Sequence, residues 1–509
     1  MLFNSYIFIF LFLPITLLGF HLIGMRGYHR AALAWLVLAS LFFYGWWNPV
    51  YLTLILGSML LNYIIGVSLN QNSSRGILIF GIAINLILLG YFKYANFFVN
   101  NLNAISGSNF HLENILLPLA ISFFTFQQIA YLVDAYRGET NEYHFLHYAL
   151  FVTFFPQLIA GPIVHHKEML PQFVKNSTYQ LKAEDLAVGI TIFAIGLFKK
   201  VVLADGIAIY ATSVFDAAEQ GFILTFFEAW GGALSYTLQL YFDFSGYSDM
   251  AIGLARMFGI ILPLNFNSPY KATSIIEFWR CWHITLSRFL RNYLYVSLGG
   301  NRKGEIRRNI NILTTMLLGG LWHGAGWTFV LWGGLHGLYL IINHIWRKLL
   351  TPKKPNILSN IFGWIITMIA VVFAWVPFRA ESMGGAKQLL GAMVGMNGIH
   401  LPLSVEKFGI QKEWLLNHGI ILQDVFRFGN FREFTLYLVS LFLIVIIFPN
   451  TQQIMNQSIL KEYNGEIYRL NHSFLEWKPL KLWAIYTTII LTTSILFLGR
   501  FSEFLYFQF

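Results

Sequence analysis

Residues 317–337 read Leu-Leu-Gly-Gly-Leu-Trp-His-Gly-Ala-Gly-Trp-Thr-Phe-Val-Leu-Trp-Gly-Gly-Leu-His-Gly, an apolar run rich in glycine and tryptophan that carries His323 and His336. An imidazole at bilayer depth is costly and calls for a reason. The surrounding chain decides whether this run lies in a bilayer. Of 509 residues, 56% are hydrophobic and only 11% are charged, whereas soluble domains carry about one quarter charged residues. The composition therefore points to an all-α, polytopic membrane protein, in which each span satisfies its own backbone hydrogen bonds. A single membrane domain over 1–509 is expected, because no stretch has the composition of a linker.

Apolar runs long enough to span occur near 3–24, 31–47, 50–69, 77–99, 115–135, 187–211, 222–242, 326–346, 357–378, 434–449 and 480–500. The first is read as a retained span, since it lacks the basic start and cleavage site of a signal peptide. Shorter or Gly/Pro-interrupted runs near 147–164, 244–262 and 309–322 are expected to be re-entrant or buried in the bundle. Together these make about 11–13 transmembrane or re-entrant helices.

The formal net charge is +10, but the basic residues fall between apolar runs. That pattern suits positive-inside loops on an anionic leaflet and argues against nucleic acid as a partner. Residues 263–308 form the clearest basic segment: Lys271, Arg280, Arg288, Arg291, Arg302, Lys303, Arg307 and Arg308 face only Glu277 and Glu305. With this segment, 26–30 and 347–354 (Arg347, Lys348, Lys353, Lys354) on the cytoplasmic side, residues 379–433 become an extracytoplasmic loop. The chain between 309 and 346 then crosses an even number of times. Asn309 to Trp322 is 14 residues, roughly 21 Å of helix against a hydrocarbon core of about 30 Å. His323 is thereby expected at depth, near the turn of a helical hairpin.

Spacing leaves the chemistry open. Gly320 and Gly324, like Gly333 and Gly337, are four apart, which allows close helix packing. His323 reads equally well as a reactive group or as a hydrogen-bonded structural imidazole, and His336 reads as structural. From Glu277 to Val296 a basic, aromatic amphipathic helix is expected, carrying Trp279, Trp282 and the arginines. It would lie in the membrane interface or grip a polyanion through arginine, with His283 pointing at the core. Asp243 and Asp249 end an apolar run and are read as salt-bridging the arginines of the following loop. Asn265, Asn267, Pro263 and Pro269 mark a turn, and Pro156 with Pro162 argue for a broken element. With one cysteine, Cys281, there is no multi-cysteine metal site, and no zinc, P-loop or nucleophile-elbow motif occurs, so no metal is expected.

Several runs together carry a resemblance: 241–254 (Tyr-Phe-Asp-Phe-Ser-Gly-Tyr-Ser-Asp-Met-Ala-Ile-Gly-Leu), Glu277-Phe-Trp-Arg-x-Trp-His-Ile-x-Leu-Ser, Tyr-x-x-Leu-Gly-Gly-Asn-Arg at 295–302 and Leu-Leu-Gly-Gly-Leu-Trp-His-Gly at 317–324. With Leu158-Ile-Ala-Gly-Pro and Gly90-Tyr-Phe-Lys-Tyr-Ala-Asn-Phe, they resemble the membrane-bound O-acyltransferase superfamily, most closely its bacterial alginate O-acetylation branch. The resemblance runs from about residue 3 to 345. It implies a ring of tilted helices around a central core tunnel. It makes His323 the catalytic histidine and His283 the second active-site position. Cys281 stands where relatives often carry arginine or another polar residue. Acetyl-CoA is the implied acyl donor substrate, approaching the basic surface of Arg280, Arg288, Arg291, Trp279 and Trp282, and no cofactor is bound permanently. The implied partners are membrane lipid, a periplasmic or membrane-anchored acetyltransferase, and an exopolysaccharide such as alginate as final acceptor. The implied location is the bacterial inner membrane. Two alternatives are D-alanyl transfer to teichoic acid and a proton-coupled transporter. The transporter would need acids along one span, which the sequence does not show.

Overall fold

A computed structural model describes the chain except residues 114, 141–143, 350–355, 404–411, 418, 424–425, 456–474, 501–504 and 506–509. Lys353 and Lys354 of the expected cytoplasmic loop lie outside the described residues. The architecture is helical. Six described helices are long and apolar enough to cross a bilayer: Phe8–Met25, Val50–Gln71, Arg75–Ser106, Ala183–Glu219, Trp327–Leu349 and Ile357–Arg379. His29–Gly45 and Lys481–Phe497 are shorter and also apolar. Their outward faces show leucine, isoleucine and phenylalanine, as a lipid-facing surface requires.

One helix organises the interior. Phe226–Met257 is 32 residues long, and all but Phe226, Phe227, Trp230 and Leu234 are buried. A helix covered all round belongs to a core. The two elements expected over 222–242 and 244–262 are thus one helix. Gly246 does not interrupt it, because it is the point where another helix comes close. A Cβ on Gly246 would stand 2.7 Å from the carbonyl of Gly196, and one on Gly253 would stand 2.6 Å from that of Gly189. Both contacts join this helix to Ala183–Glu219, and small residues permit such backbone approach.

The same interface holds buried charge. Lys200 Nζ meets Asp205 at 2.8 Å and Asp243 at 2.5 Å, while Lys199 Nζ meets Asp249 at 2.6 Å. Thr451 Oγ1 and Gln452 Nε2 also donate to Asp249, at 2.6 and 3.0 Å. The salt bridges expected for Asp243 and Asp249 exist, but their partners are lysines of the neighbouring helix and not loop arginines. Hydropathy cannot show this, since Lys199 and Lys200 sit within a long apolar helix whose wide π turn, Lys199–Ala204, helps to orient them.

The 147–164 region is broken, as its prolines suggest. Short helices Phe145–Thr153 and Phe155–Leu158 give way to irregular, buried backbone as far as Val164. Residues 404–411, 418 and 424–425 of the expected loop 379–433 lie outside the described residues, and its described residues hold regular elements. They include the helix Met383–Met393 and two parallel strands, Ile399–Pro402 and Ile420–Gln423.

Candidate active site

The helix Gly304–His323 ends on His323, and Trp327–Leu349 starts after three intervening residues. Lys348 Nζ meets Glu305 Oε1 at 2.9 Å, so the far ends of the two helices lie side by side. This is the expected hairpin, with His323 at its turn. Glycine makes it tight. A Cβ on Gly320 would run into the carbonyl of Phe329 and reach 3.1 Å from the Gly333 Cα. A Cβ on Gly333 would run into the carbonyl of Met316. Of the expected glycine pairs, Gly320 and Gly333 are the ones that set the helix spacing.

His323 is buried among aromatic rings, with Trp322, Trp332 and Phe378 at centroid distances of 4.9, 5.0 and 5.1 Å. Beside it is a cavity of about 10 Å³, lined also by Leu240, Phe244, Trp282 and Trp375. That is room for about one water molecule. The space at His323 is thus a constriction in a dry environment, where a partial charge on a reacting group interacts strongly with nearby dipoles.

The second histidine comes near His323 by a different route. The continuous amphipathic helix expected over 277–296 is divided into Ile275–Cys281, Ile284–Phe289 and a π turn, Leu290–Tyr295. The first break falls on Trp282 and His283, and His283 has φ 40° and ψ 55°. A non-glycine residue in this left-handed region is strained and is held there by its surroundings. Those surroundings are the extended stretch around Asn265. The Ile284 amide donates to the Asn265 carbonyl at 2.9 Å, and the Asn267 amide donates to the Cys281 carbonyl at 2.9 Å. Such pairing is what irregular backbone needs at membrane depth.

Asn265 also sets the chemistry of His283. Its Oδ1 lies 3.0 Å from His283 Nδ1 and accepts from the Thr285 hydroxyl at 2.8 Å and the Thr285 amide at 3.3 Å. The amide donor identifies that atom as the oxygen, so His283 Nδ1 carries the hydrogen and Nε2 carries the lone pair. Nε2 is buried with no hydrogen-bond partner among the described residues. The two candidate imidazoles share neighbours. Trp322 packs against both, at 4.9 Å from His323 and 6.4 Å from His283. Phe244, from the cavity wall, stands edge-on to His283 at 4.7 Å. Asn265 reads in the sequence only as part of a turn. An amide 18 residues from His283 gives no signal until the fold brings the two together.

The remaining candidates divide. Trp282 lines the His323 cavity. Trp279 turns inward as well, and its Nε1–H donates to His336 Nδ1 at 3.3 Å. His336 is fully buried and also packs on Trp332, which fits the structural reading. Arg280 and Arg291 are exposed. Arg288 forms a two-pronged pair with Glu168, at 2.6 and 2.9 Å, on the wall of a polar basin of about 590 Å³ that also includes Asp134, His165, Lys167 and Tyr293. At the turn end of the hairpin a second basin of about 300 Å³ opens beside Asn101, Gly326, Thr328 and Glu381. The chain thus has a narrow aromatic cavity at His323, a polar basin at Arg288 in the basic segment and a further basin at the hairpin turn.

The profile of "MBOAT, membrane-bound O-acyltransferase family" matches residues 135–378, which span both histidines. A peptidoglycan O-acetyltransferase of Helicobacter pylori is 48% identical, over 79% of this chain and 81% of its own. The chain belongs to the membrane-bound O-acyltransferase family. It is also similar to the "Probable alginate O-acetylase AlgI" of Pseudomonas putida, at 45% identity over 77% of this chain and 80% of the relative. A teichoic acid D-alanyltransferase of Bacillus subtilis is 28% identical over 53% of this chain and 70% of its own. The protein is therefore an O-acyltransferase and a multi-pass membrane protein, as its sequence led one to expect. Membership also replaces the transporter reading with group transfer.

Proposed function

We propose that this protein carries an acetyl group from cytoplasmic acetyl-CoA through the bacterial inner membrane for O-acetylation of a cell-envelope polysaccharide. The observation that carries the reading is that His323, at its narrow dry cavity, and His283 pack on the same Trp322 ring although they come from different segments of the chain. Acetyl transfer is preferred to D-alanyl transfer because the O-acetylating relatives are 45–48% identical and the D-alanyl relative 28%.

In the proposed reaction, the thioester enters from the basic side, with the nucleotide end of the donor near Arg280, Arg288 and Arg291 and the acetyl end against Trp282. His323 acts in one of two established imidazole roles. As a carrier, its ring nitrogen bonds to the acetyl carbon, the carbon–sulfur bond breaks, and the thiolate leaves and takes up a proton. An acceptor hydroxyl then attacks the acetyl-imidazole, loses its proton, and frees the ring. As a general base, His323 removes the hydroxyl proton while the oxygen attacks the thioester directly. His283, whose Nε2 bears the lone pair, orients the reacting group by accepting a hydrogen bond. The acceptor side is the hairpin-turn basin. From there the acetyl group passes to a periplasmic or membrane-anchored acetyltransferase and on to a polymer such as alginate or peptidoglycan.

The test uses purified protein in liposomes with labelled acetyl-CoA outside the acceptor compartment. Transfer by the His323→Ala variant should fall by about 10³-fold. A folded variant that transfers acetyl as fast as wild type would overturn the assignment. Running the same vesicles with a D-alanyl thioester separates the two donor classes.

A further inference from the structure

The segment Gly90-Tyr-Phe-Lys-Tyr contains a lysine in the interior of the 32-residue apolar helix Arg75–Ser106. An ammonium at that depth needs a partner, and among the described residues no acid pairs with Lys93. It points instead at the end of the histidine helix. The last four carbonyls of any helix have no acceptor role within it, and at this depth no bulk water serves them. Their partners in Gly304–His323 can be accounted for one by one. The Gly320 carbonyl accepts from the Gly324 amide at 3.4 Å. The Leu321 carbonyl accepts from the Tyr94 hydroxyl at 2.8 Å. The Trp322 carbonyl accepts from Lys93 Nζ, and the His323 carbonyl accepts from the same ammonium at 3.3 Å.

Two consecutive side chains thus hold three consecutive carbonyls. In a regular helix, neighbouring residues point about 100° apart and would not converge in this way. Residues 90–94 form a π turn, and such local widening is frequent at functional sites. Lys93 is further fixed by Ser122 Oγ at 3.3 Å and lies 5.8 Å above the Trp322 ring. The positive charge is also where the helix macrodipole is negative.

We infer that Lys93 and Tyr94 are positioning residues for acyl transfer: by capping the carbonyls of Leu321, Trp322 and His323 they hold the His323 ring in its reactive place. This rests on the reading of His323 as the reactive group. Neither residue has to touch the substrate. The grip fixes the backbone from which the imidazole projects, and a displacement of about 1 Å can lower a rate by about 10²-fold.

The test uses the full chain in lipid nanodiscs with labelled acetyl-CoA. Lys93→Met should lower kcat by about 10²-fold, with KM for acetyl-CoA within about twofold of wild type, since uniform binding is untouched. Lys93→Arg keeps donors and charge and should recover kcat to within about tenfold of wild type. Tyr94→Phe, which removes one hydroxyl, should lower kcat by about tenfold. Should Lys93→Met fail to fold, Lys93→Arg and Tyr94→Phe carry the test. A folded Lys93→Met protein with wild-type kcat, or one in which only KM rises, overturns the proposal, as does wild-type kcat in Tyr94→Phe when Lys93→Met does not fold. His323→Ala in parallel separates the two claims. If it is active, the catalytic reading fails. If it is inactive while Lys93→Met is fully active, only the positioning role fails.

Discussion

His283 Nδ1 and Asn265 Oδ1 lie 3.0 Å apart, and the same oxygen accepts from the backbone and hydroxyl of Thr285. An oxygen held by a backbone amide can only accept from the ring, so it selects the tautomer. Replacing Asn265 by Leu removes this acceptor and should lower kcat per folded molecule by about 10²-fold, with some loss of stability because the buried Thr285 amide and hydroxyl lose the same acceptor. Nitrogen NMR of labelled histidine checks the cause directly. The wild-type spectrum should show His283 protonated at Nδ1, and the variant should show a mixture of tautomers.

The hairpin depends on two glycines that have no side chain to place between the helices. Gly320→Ala would press a methyl group on the Phe329 carbonyl and the Gly333 backbone. Overpacking of this kind costs about 1–3 kcal/mol, and the melting midpoint in detergent should drop accordingly. Gly334→Ala provides the contrast. Its added carbon would meet Leu317 Cδ2 at 3.6 Å, an ordinary contact, so its melting curve should match wild type. Equal curves for the two variants would mean that helix spacing is not set at Gly320.

Asp249 joins Lys199, Thr451 and Gln452 and so ties the central helix to the Asn450 region. Asp249→Asn leaves the mostly buried Lys199 ammonium without its counter-charge, at a cost of about 3 kcal/mol. Thermal unfolding should shift down while turnover per folded molecule stays at the wild-type level. Loss of turnover at unchanged stability would instead point to a proton relay through Asp249.

Arg288 is held by both carboxylate oxygens of Glu168 at the rim of the polar basin. In the proposed donor path, Arg288→Gln removes a charge-assisted contact and should raise KM for acetyl-CoA by about tenfold, leaving kcat nearly constant. Arg280→Gln, on an exposed side chain, should have the smaller effect. If both variants alter only membrane insertion or stability, the basic segment is an interface anchor and nothing more.

How much was legible beforehand differs from residue to residue. Composition and apolar run length determined by themselves that the chain is a helical membrane protein, because continuous apolar runs of about 20 residues satisfy their backbone hydrogen bonds in lipid as helices, whereas barrel strands are about half as long and alternate in polarity. Run length and loop charge placed His323 at a hairpin turn, since 14 residues cannot cross the bilayer. Local patterns also showed the broken region around Pro156 and Pro162. They could not show the break at His283, where periodicity is amphipathic and helical; the left-handed turn exists because Asn265 and its neighbours pair with that backbone. Nor could they show that Asp243 and Asp249 face lysines, or that Lys93 and Tyr94 cap a helix some 230 residues away. The physical reason is common to all three. Hydropathy is a sum along one segment, whereas the tautomer of a histidine, the partner of a buried charge and the acceptor of a buried donor are set between segments. Only the tertiary structure brings those segments together.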